Sequence, residues 1–319
     1  MILSAEGIVR VPERFCFQKD QDFRELVEKI YKNVKITSVE ELKGGITNRL
    51  FKVQLELLTN GDESGDNPNC VLVKQFGRKT ELYLNRPREV SNFVMLSKHK
   101  LSGRLLAVFD NGYAYEYVKG AVLTPKDLPG NKEAIARELF KWHSTVPVGN
   151  SKCTLYDTLR LFLSKSRLQD GKRQQLYTEL IKKYELKYAD EPVVFCHNDL
   201  LAANIIKTPH NSGVKFIDYD YANYGPAAFD IANHFCEYGG FACEWAKIPS
   251  EDGMLAFLNS YNPDSSRDLL GKVKAFIPLA HLAWGLWALV QAEISEIDFD
   301  YVGYAEKRLA MVECHDTTM

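Results

Sequence analysis

Residues 193–221 constrain this chain more than any other stretch. An apolar run, Val193 to Cys196, delivers His197, Asn198 and Asp199 onto a turn, and Asn204 follows five residues after Asp199, just ahead of Ile205-Ile206. A turn around Asn211-Ser212-Gly213 leads into a further apolar run, Val214 to Ile217, which ends on Asp218. Short apolar runs bounded by Gly, Asn, Asp and Ser read as strands. The pattern is a strand, a polar loop, a second strand and then another strand with an acid at its end.

The order His-x-Asp-x-x-x-x-Asn, followed by an Asp at a strand end, is the residue set of phosphoryl transfer. A hydroxyl attacking phosphorus needs a carboxylate within hydrogen-bond reach to orient it and take its proton, and that role falls to Asp199. Mg²⁺ is a hard ion that keeps several waters, so the Asp218 carboxylate and the Asn204 amide oxygen suffice beside phosphates. His197 joins the catalytic set as the residue that props the loop, hydrogen-bonded near Asp218. Ordinary local capping explains a lone loop Asp or Asn, but not this full set between apolar strands.

Residues 195–205 (Phe-Cys-His-Asn-Asp-Leu-Leu-Ala-Ala-Asn-Ile) and 216–238 (Phe-Ile-Asp-Tyr-Asp-Tyr through Phe-Asp-Ile-Ala-Asn-His-Phe-Cys-Glu-Tyr) resemble the choline/ethanolamine kinases. The Asn-Asp-Leu-Leu wording is closer to the ethanolamine branch, and the similarity runs from about Gly44 to about Tyr304. The resemblance implies an α+β, protein-kinase-like fold in two lobes. A nucleotide-binding lobe with a small antiparallel sheet is expected over residues 1–118, and a larger, mainly helical catalytic and amine-binding lobe over 119–319. It implies ATP and Mg²⁺ as cofactors and phosphorylation of ethanolamine to phosphoethanolamine, the first step of phosphatidylethanolamine synthesis by the CDP-ethanolamine route. The rival readings are a choline kinase, an aminoglycoside-type phosphotransferase and a nucleotide-binding pseudokinase. A protein kinase fits less well, because Asp218-Tyr219-Asp220 replaces Asp-Phe-Gly and no Ala-Pro-Glu tripeptide follows.

Composition is that of an ordinary globular protein. The 319 residues are 45% hydrophobic and 26% charged, with a net charge of −2, as in globular proteins generally. That balance gives no attraction to nucleic acid, and no basic stripe with interleaved aromatics appears. The seven cysteines contain no Cys-x-x-Cys, which argues against a zinc site or a disulfide framework and for reduced thiols in the cytoplasm. The N-terminus lacks the pattern of a signal peptide. The apolar stretch Ala275 to Val290 is interrupted by Pro278 and His281 and reads as a buried helix rather than a membrane span. The expected partner is the amine alcohol, with no nucleic acid and no stable membrane insertion; a homodimer is left open.

In the first lobe, residues 20–32 have helical periodicity. Ile36 to Leu42 and Arg49 to Leu58 read as strands around Lys43-Gly44-Gly45-Ile46-Thr47-Asn48. Glycines there let backbone amides approach an anion, so Gly45, Ile46, Thr47 and Asn48 are candidate phosphate contacts. Thr59 to Asn69 reads as a solvated loop. Lys74 interrupts an apolar strand and needs an anionic partner if buried; Glu89, on the helical segment after it, would hold it as the strand-lysine and helix-glutamate pair of kinases does. Strands from Leu105 and Gly112 lead to Glu116 and Val118, where a kinase hinge would meet adenine through backbone groups.

In the second lobe, Asp230 would cap a turn or brace the loop of Asp199. Trp284 and Trp287, three apart on one helical face, are by default core, but aromatic faces also hold a cationic amine. By resemblance, Glu237 borders the amine pocket, and Tyr221, Phe299 and Tyr304 match further pocket positions. On sequence alone Glu237 is equally an exposed helix residue.

Overall fold

The computed structural model describes residues 2–3, 7–42, 48–58, 69–77, 80–209 and 213–316. The chain divides into two units, Met1–Lys119 and Gly120–Met319.

The first unit contains β1 (Ile2–Leu3), β2 (Val9–Val11), α1 (Asp20–Ile30), β3 (Val34–Leu42), β4 (Asn48–Leu57), β5 (Cys70–Phe76), α2 (Arg86–Lys98), β6 (Leu105–Phe109) and β7 (Gly112–Glu116). Its seven strands form one sheet in the order β1-β2-β6-β7-β5-β4-β3. Phe51, Val53 and Leu55 alternate along β4 onto one buried face. There they meet Phe23, Leu26 and Val27 of α1 and a cluster built on Phe15, Phe17 and Phe109. Asn85 caps α2 by accepting from Arg88 N at 3.0 Å, and Pro87 occupies the first turn, where its missing N–H costs nothing. The expectation of an antiparallel sheet is corrected at one edge: β2 lies parallel to β6. No hairpin joins these distant segments, so no tight turn forces them antiparallel.

The second unit runs through β8 (Ala121–Val122), α3 (Leu128–Thr145), α4 (Leu155–Lys165), α5 (Gly171–Lys187), β9 (Val193–Cys196), β10 (Ile205–Lys207), β11 (Val214–Phe216), β12 (Asn223–Pro226), α6 (Ala227–Cys236), α7 (Glu251–Tyr261), α8 (Ser266–Ile294) and α9 (Tyr301–Asp316). Two small antiparallel ribbons, β11-β10-β8 and β12-β9, hold the polar loop between β9 and β10. Gly120 opens this unit because a side chain there would lie 2.3 Å from the Lys207 carbonyl oxygen. The core helix is α8, apolar on nearly every face and packed by α4, α6, α7 and α9. It is long and apolar enough to cross a membrane by composition, yet 72% of its most apolar stretch is buried inside the protein. Pro278 inside α8 cannot donate a helix hydrogen bond, and the Tyr184 hydroxyl donates to the nearby Ala275 carbonyl at 2.6 Å.

Candidate active site

Lys74 is buried on β5, and a buried ammonium requires a partner. It donates to Glu89 Oε1 of α2 at 3.0 Å, and the Tyr113 hydroxyl of β7 donates to the same oxygen at 2.7 Å. Glu89 Oε2 accepts from Arg86 at 2.6 Å, so one carboxylate is held between two cations. Arg86 also donates to Asn48 Oδ1 at 2.7 Å and Thr80 Oγ1 at 2.6 Å, and its guanidinium lies 4.4 Å from the Phe76 ring centre. Asn48 is thereby tied to the same cluster at the start of β4, whereas Gly45, Ile46 and Thr47 lie outside the described residues. Glu116 ends β7 with its carboxylate taken by Arg104, which donates from N at 2.9 Å and Nε at 2.6 Å. Its amide donates to the Arg104 carbonyl at 2.9 Å, and Val118 follows, half-buried.

In the second unit, β9 places His197 and Asp199 on a buried loop whose geometry depends on Asp230 of α6. Asp230 accepts from His197 N and Asn198 N, each at 2.7 Å, and lies 3.0 Å from His143 Nε2 of α3. Burial works against its charged form, but the hydrogen bond with His143 and the backbone amide of His197 hold the carboxyl below the usual range. Asp230 is therefore a brace as well as a residue in the first turn of α6. His197 is fully buried, its Nε2 3.1 Å from the Ile217 carbonyl, the residue before Asp218, and its Nδ1 accepting from Asp199 N at 3.3 Å. Burial drives its pKa down to about 4, so at neutral pH it is an uncharged prop with the proton on Nε2. Trp142 of α3 packs beneath it, ring centres 5.3 Å apart.

Asn198 and Asp218 both adopt φ of +63°, a left-handed conformation that Asn and Asp tolerate better than other residues with a Cβ. Asn198 gives the loop two further fixings: besides its amide to Asp230, its Nδ2 donates to the Tyr221 carbonyl at 3.0 Å and its own carbonyl accepts from Asn233 at 2.9 Å. Asn204 Nδ2 donates to the Asp199 carbonyl at 2.8 Å and to Asp199 Oδ2 at 3.1 Å. That orientation leaves Asn204 Oδ1 as the acceptor end. Burial first, then the carboxylates of Asp218, Glu237 and Asp220, push the Asp199 carboxyl well above its ordinary range, against the pull of Asn204. An amide oxygen and carboxylates gathered in this way are the oxygen donors a hard divalent cation takes.

The aromatic residues assemble beside this loop. Trp284 and Trp287 sit buried on α8 with ring centres 5.3 Å apart, and Tyr221 lies 5.2 Å from Trp284. Their polar edges are used: Trp284 Nε1 donates to Asn233 Oδ1 at 2.7 Å and Trp287 Nε1 to the Tyr221 hydroxyl at 2.6 Å. Phe299 and Tyr304 stand 5.8 Å apart. Glu237 follows α6 and is buried rather than exposed, with Arg308 NH2 of α9 donating to its Oε1 at 2.6 Å. Sequence reasoning missed Arg308, Asn198, Asn233 and Arg86. It also missed Tyr301, whose ring bridges Trp287 at 6.0 Å and Phe299 at 4.9 Å. Only Arg86 had a sequence signal, its i,i+3 spacing to Glu89.

Comparison with known proteins agrees with this geometry. Residues 39–313 match the family model described as choline/ethanolamine kinase. Ethanolamine kinase 2 of Mus musculus is 35% identical over 288 residues, 83% of this chain and 73% of that one. The probable ethanolamine kinase of Arabidopsis thaliana is 33% identical, covering 88% and 81%. Among solved structures, an ethanolamine kinase from Plasmodium vivax superposes with a TM-score of 0.72 at 26% identity, over 88% of this chain and 82% of that one. The fold is protein-kinase-like, and the chain belongs to the choline/ethanolamine kinase family, enzymes that phosphorylate small alcohols.

Proposed function

We propose that the chain transfers the terminal phosphoryl group of ATP to the hydroxyl of ethanolamine, giving phosphoethanolamine and ADP, as the first step of phosphatidylethanolamine synthesis by the CDP-ethanolamine route. The observation that carries this reading is a chain of hydrogen bonds: Trp284 is bonded to Asn233, whose amide is bonded to Asn198, the residue before Asp199. A cationic amine over the indoles, worth about 0.5–2 kcal/mol per contact, would bring its hydroxyl towards that carboxylate.

In this reading Asp199 orients the hydroxyl and accepts its proton. The surroundings that raise its pKa also raise its basicity, which suits a general base. Asn204 through Oδ1 and Asp218 through its carboxylate would hold Mg²⁺, which when bound offsets the charge of the phosphoryl group in transit. Lys74, fixed by Glu89, and the segment Gly45 to Asn48 would hold the nucleotide phosphates, and the Glu116 carbonyl and Val118 amide would meet adenine. Tyr221, Trp284, Trp287, Phe299, Tyr304 and Glu237 would form the amine box. Seven cysteines without a disulfide fit a cytoplasmic setting.

The close alternative is choline, because the paired indoles of Trp284 and Trp287 hold a quaternary ammonium as well as a primary one. ADP release measured with ethanolamine, choline, an aminoglycoside and a peptide decides. The highest kcat/KM is expected on ethanolamine; a higher value on choline reassigns the branch, and release on none of them overturns the kinase reading.

A further inference from the structure

Arg308 is the most deeply buried cation among the described residues, with no solvent-exposed surface. A guanidinium in the interior survives only if its donors are matched, and here they are spread over different groups. Nε donates to the Tyr304 hydroxyl at 2.9 Å, NH1 lies 3.5 Å from His281 Nδ1, and NH2 donates to Glu237 Oε1 at 2.6 Å. Its plane is flanked by Trp245 and Tyr304, with ring centres 5.0 and 5.1 Å from the guanidinium carbon. A lysine could not reproduce this, because one ammonium on a flexible stem does not present donors in a fixed fork.

The second oxygen of Glu237 accepts no hydrogen bond among the described residues, and the residue keeps 7% of its surface exposed. We propose that Arg308 is a positioning residue for substrate selection: it pins Glu237 by Oε1 so that Oε2 alone faces the amine box as a fixed acceptor. This rests on the proposed function, in which Glu237 borders the amine. A fixed acceptor serves an amine that carries N–H donors and does nothing for a quaternary ammonium. Tyr304, held by the same guanidinium, is positioned with it. Arg308 thus couples the acidic wall and one aromatic wall of the box.

The test is a double-substitution cycle on the full chain, read separately as KM and kcat for ethanolamine and choline at saturating ATP. Arg308→Met is expected to raise KM for ethanolamine about tenfold or more with a much smaller change in kcat, the signature of lost binding rather than lost chemistry. KM for choline should move far less. In a Glu237→Gln background the same substitution should have little further effect on ethanolamine, since residues acting through one contact are not additive. Should Arg308→Met fail to fold, Arg308→Lys, which keeps the charge but not the fork of donors, replaces it in the cycle with the same expectations. Equal losses on both amines, or effects that multiply across the cycle, overturn the proposal while leaving the kinase reading intact. A wild-type enzyme inactive on both amines overturns both readings.

Discussion

At the scale of single residues, the carboxylate at 199 carries the chemistry and its neighbours carry the orientation. Asp199→Asn keeps the size of the side chain and its contact with Asn204 but cannot take a proton. It should lower kcat by roughly 10²–10⁴, the contribution of a positioned base, with KM for ATP nearly unchanged; single-turnover kinetics reaching the wild-type rate would remove Asp199 from that role. Contacts were readable where the partners lie close in the chain or in a patterned segment: Asp199 with Asn204 and His197 with the residue before Asp218 in the second unit, and Lys74 against Glu89 in the first. Arg308 was not readable. It sits 71 positions from Glu237 and next to Lys307 in an ordinary-looking Glu-Lys-Arg run, where nothing local says which cation turns inward. Asn198 looked like a turn residue, and its left-handed backbone is indeed a turn conformation; its three loop-fixing bonds exist only because α6 and Tyr221 come back to meet it.

At the scale of elements, the periodic segments were legible, including α1, α2, β4 and the apolar half of α8. The parallel β2–β6 pairing was not, since register between distant strands leaves no local trace. Nor was the close approach of α8 and α9, which rests on one glycine. A Cβ at Gly285 would lie 2.7 Å from Leu309 Cδ2 and 2.8 Å from its Cγ, shorter than such contacts allow. Gly285→Val should push α9 outward and cost about 1–3 kcal/mol. Because Leu309 adjoins Arg308, the variant should raise KM for the amine more than KM for ATP. A melting temperature at or above that of wild type, which loss of a mid-helix glycine alone would favour, would show that the helices separate without strain.

At the scale of the whole molecule, stability should depend on buried imidazoles. His197 and His234 are both fully buried, and burial holds each pKa down at about 4. His234 Nδ1 donates to the Leu200 carbonyl at 2.8 Å, so both rings support the same loop. The unfolded chain takes up protons at these positions from about pH 6.5, while the folded chain resists until near pH 4. The unfolded state therefore binds more protons in that window, and the stability present above pH 6.5 is progressively lost as the pH falls through it. Thermal melts from pH 7 to 4.5 should show a falling melting temperature, with a shallower fall in His234→Gln; an equal slope in that variant would count against the assignment. The loop so supported also has an unusual kinetic standing. The amides of His197 and Asn198 are both given to Asp230, a carboxylate with no exposed surface, so their hydrogens can trade with solvent only in openings that uncover it. In deuterium exchange, a peptide spanning residues 195–200 should keep its protons as long as one from α6 does, although it is a connection between strands.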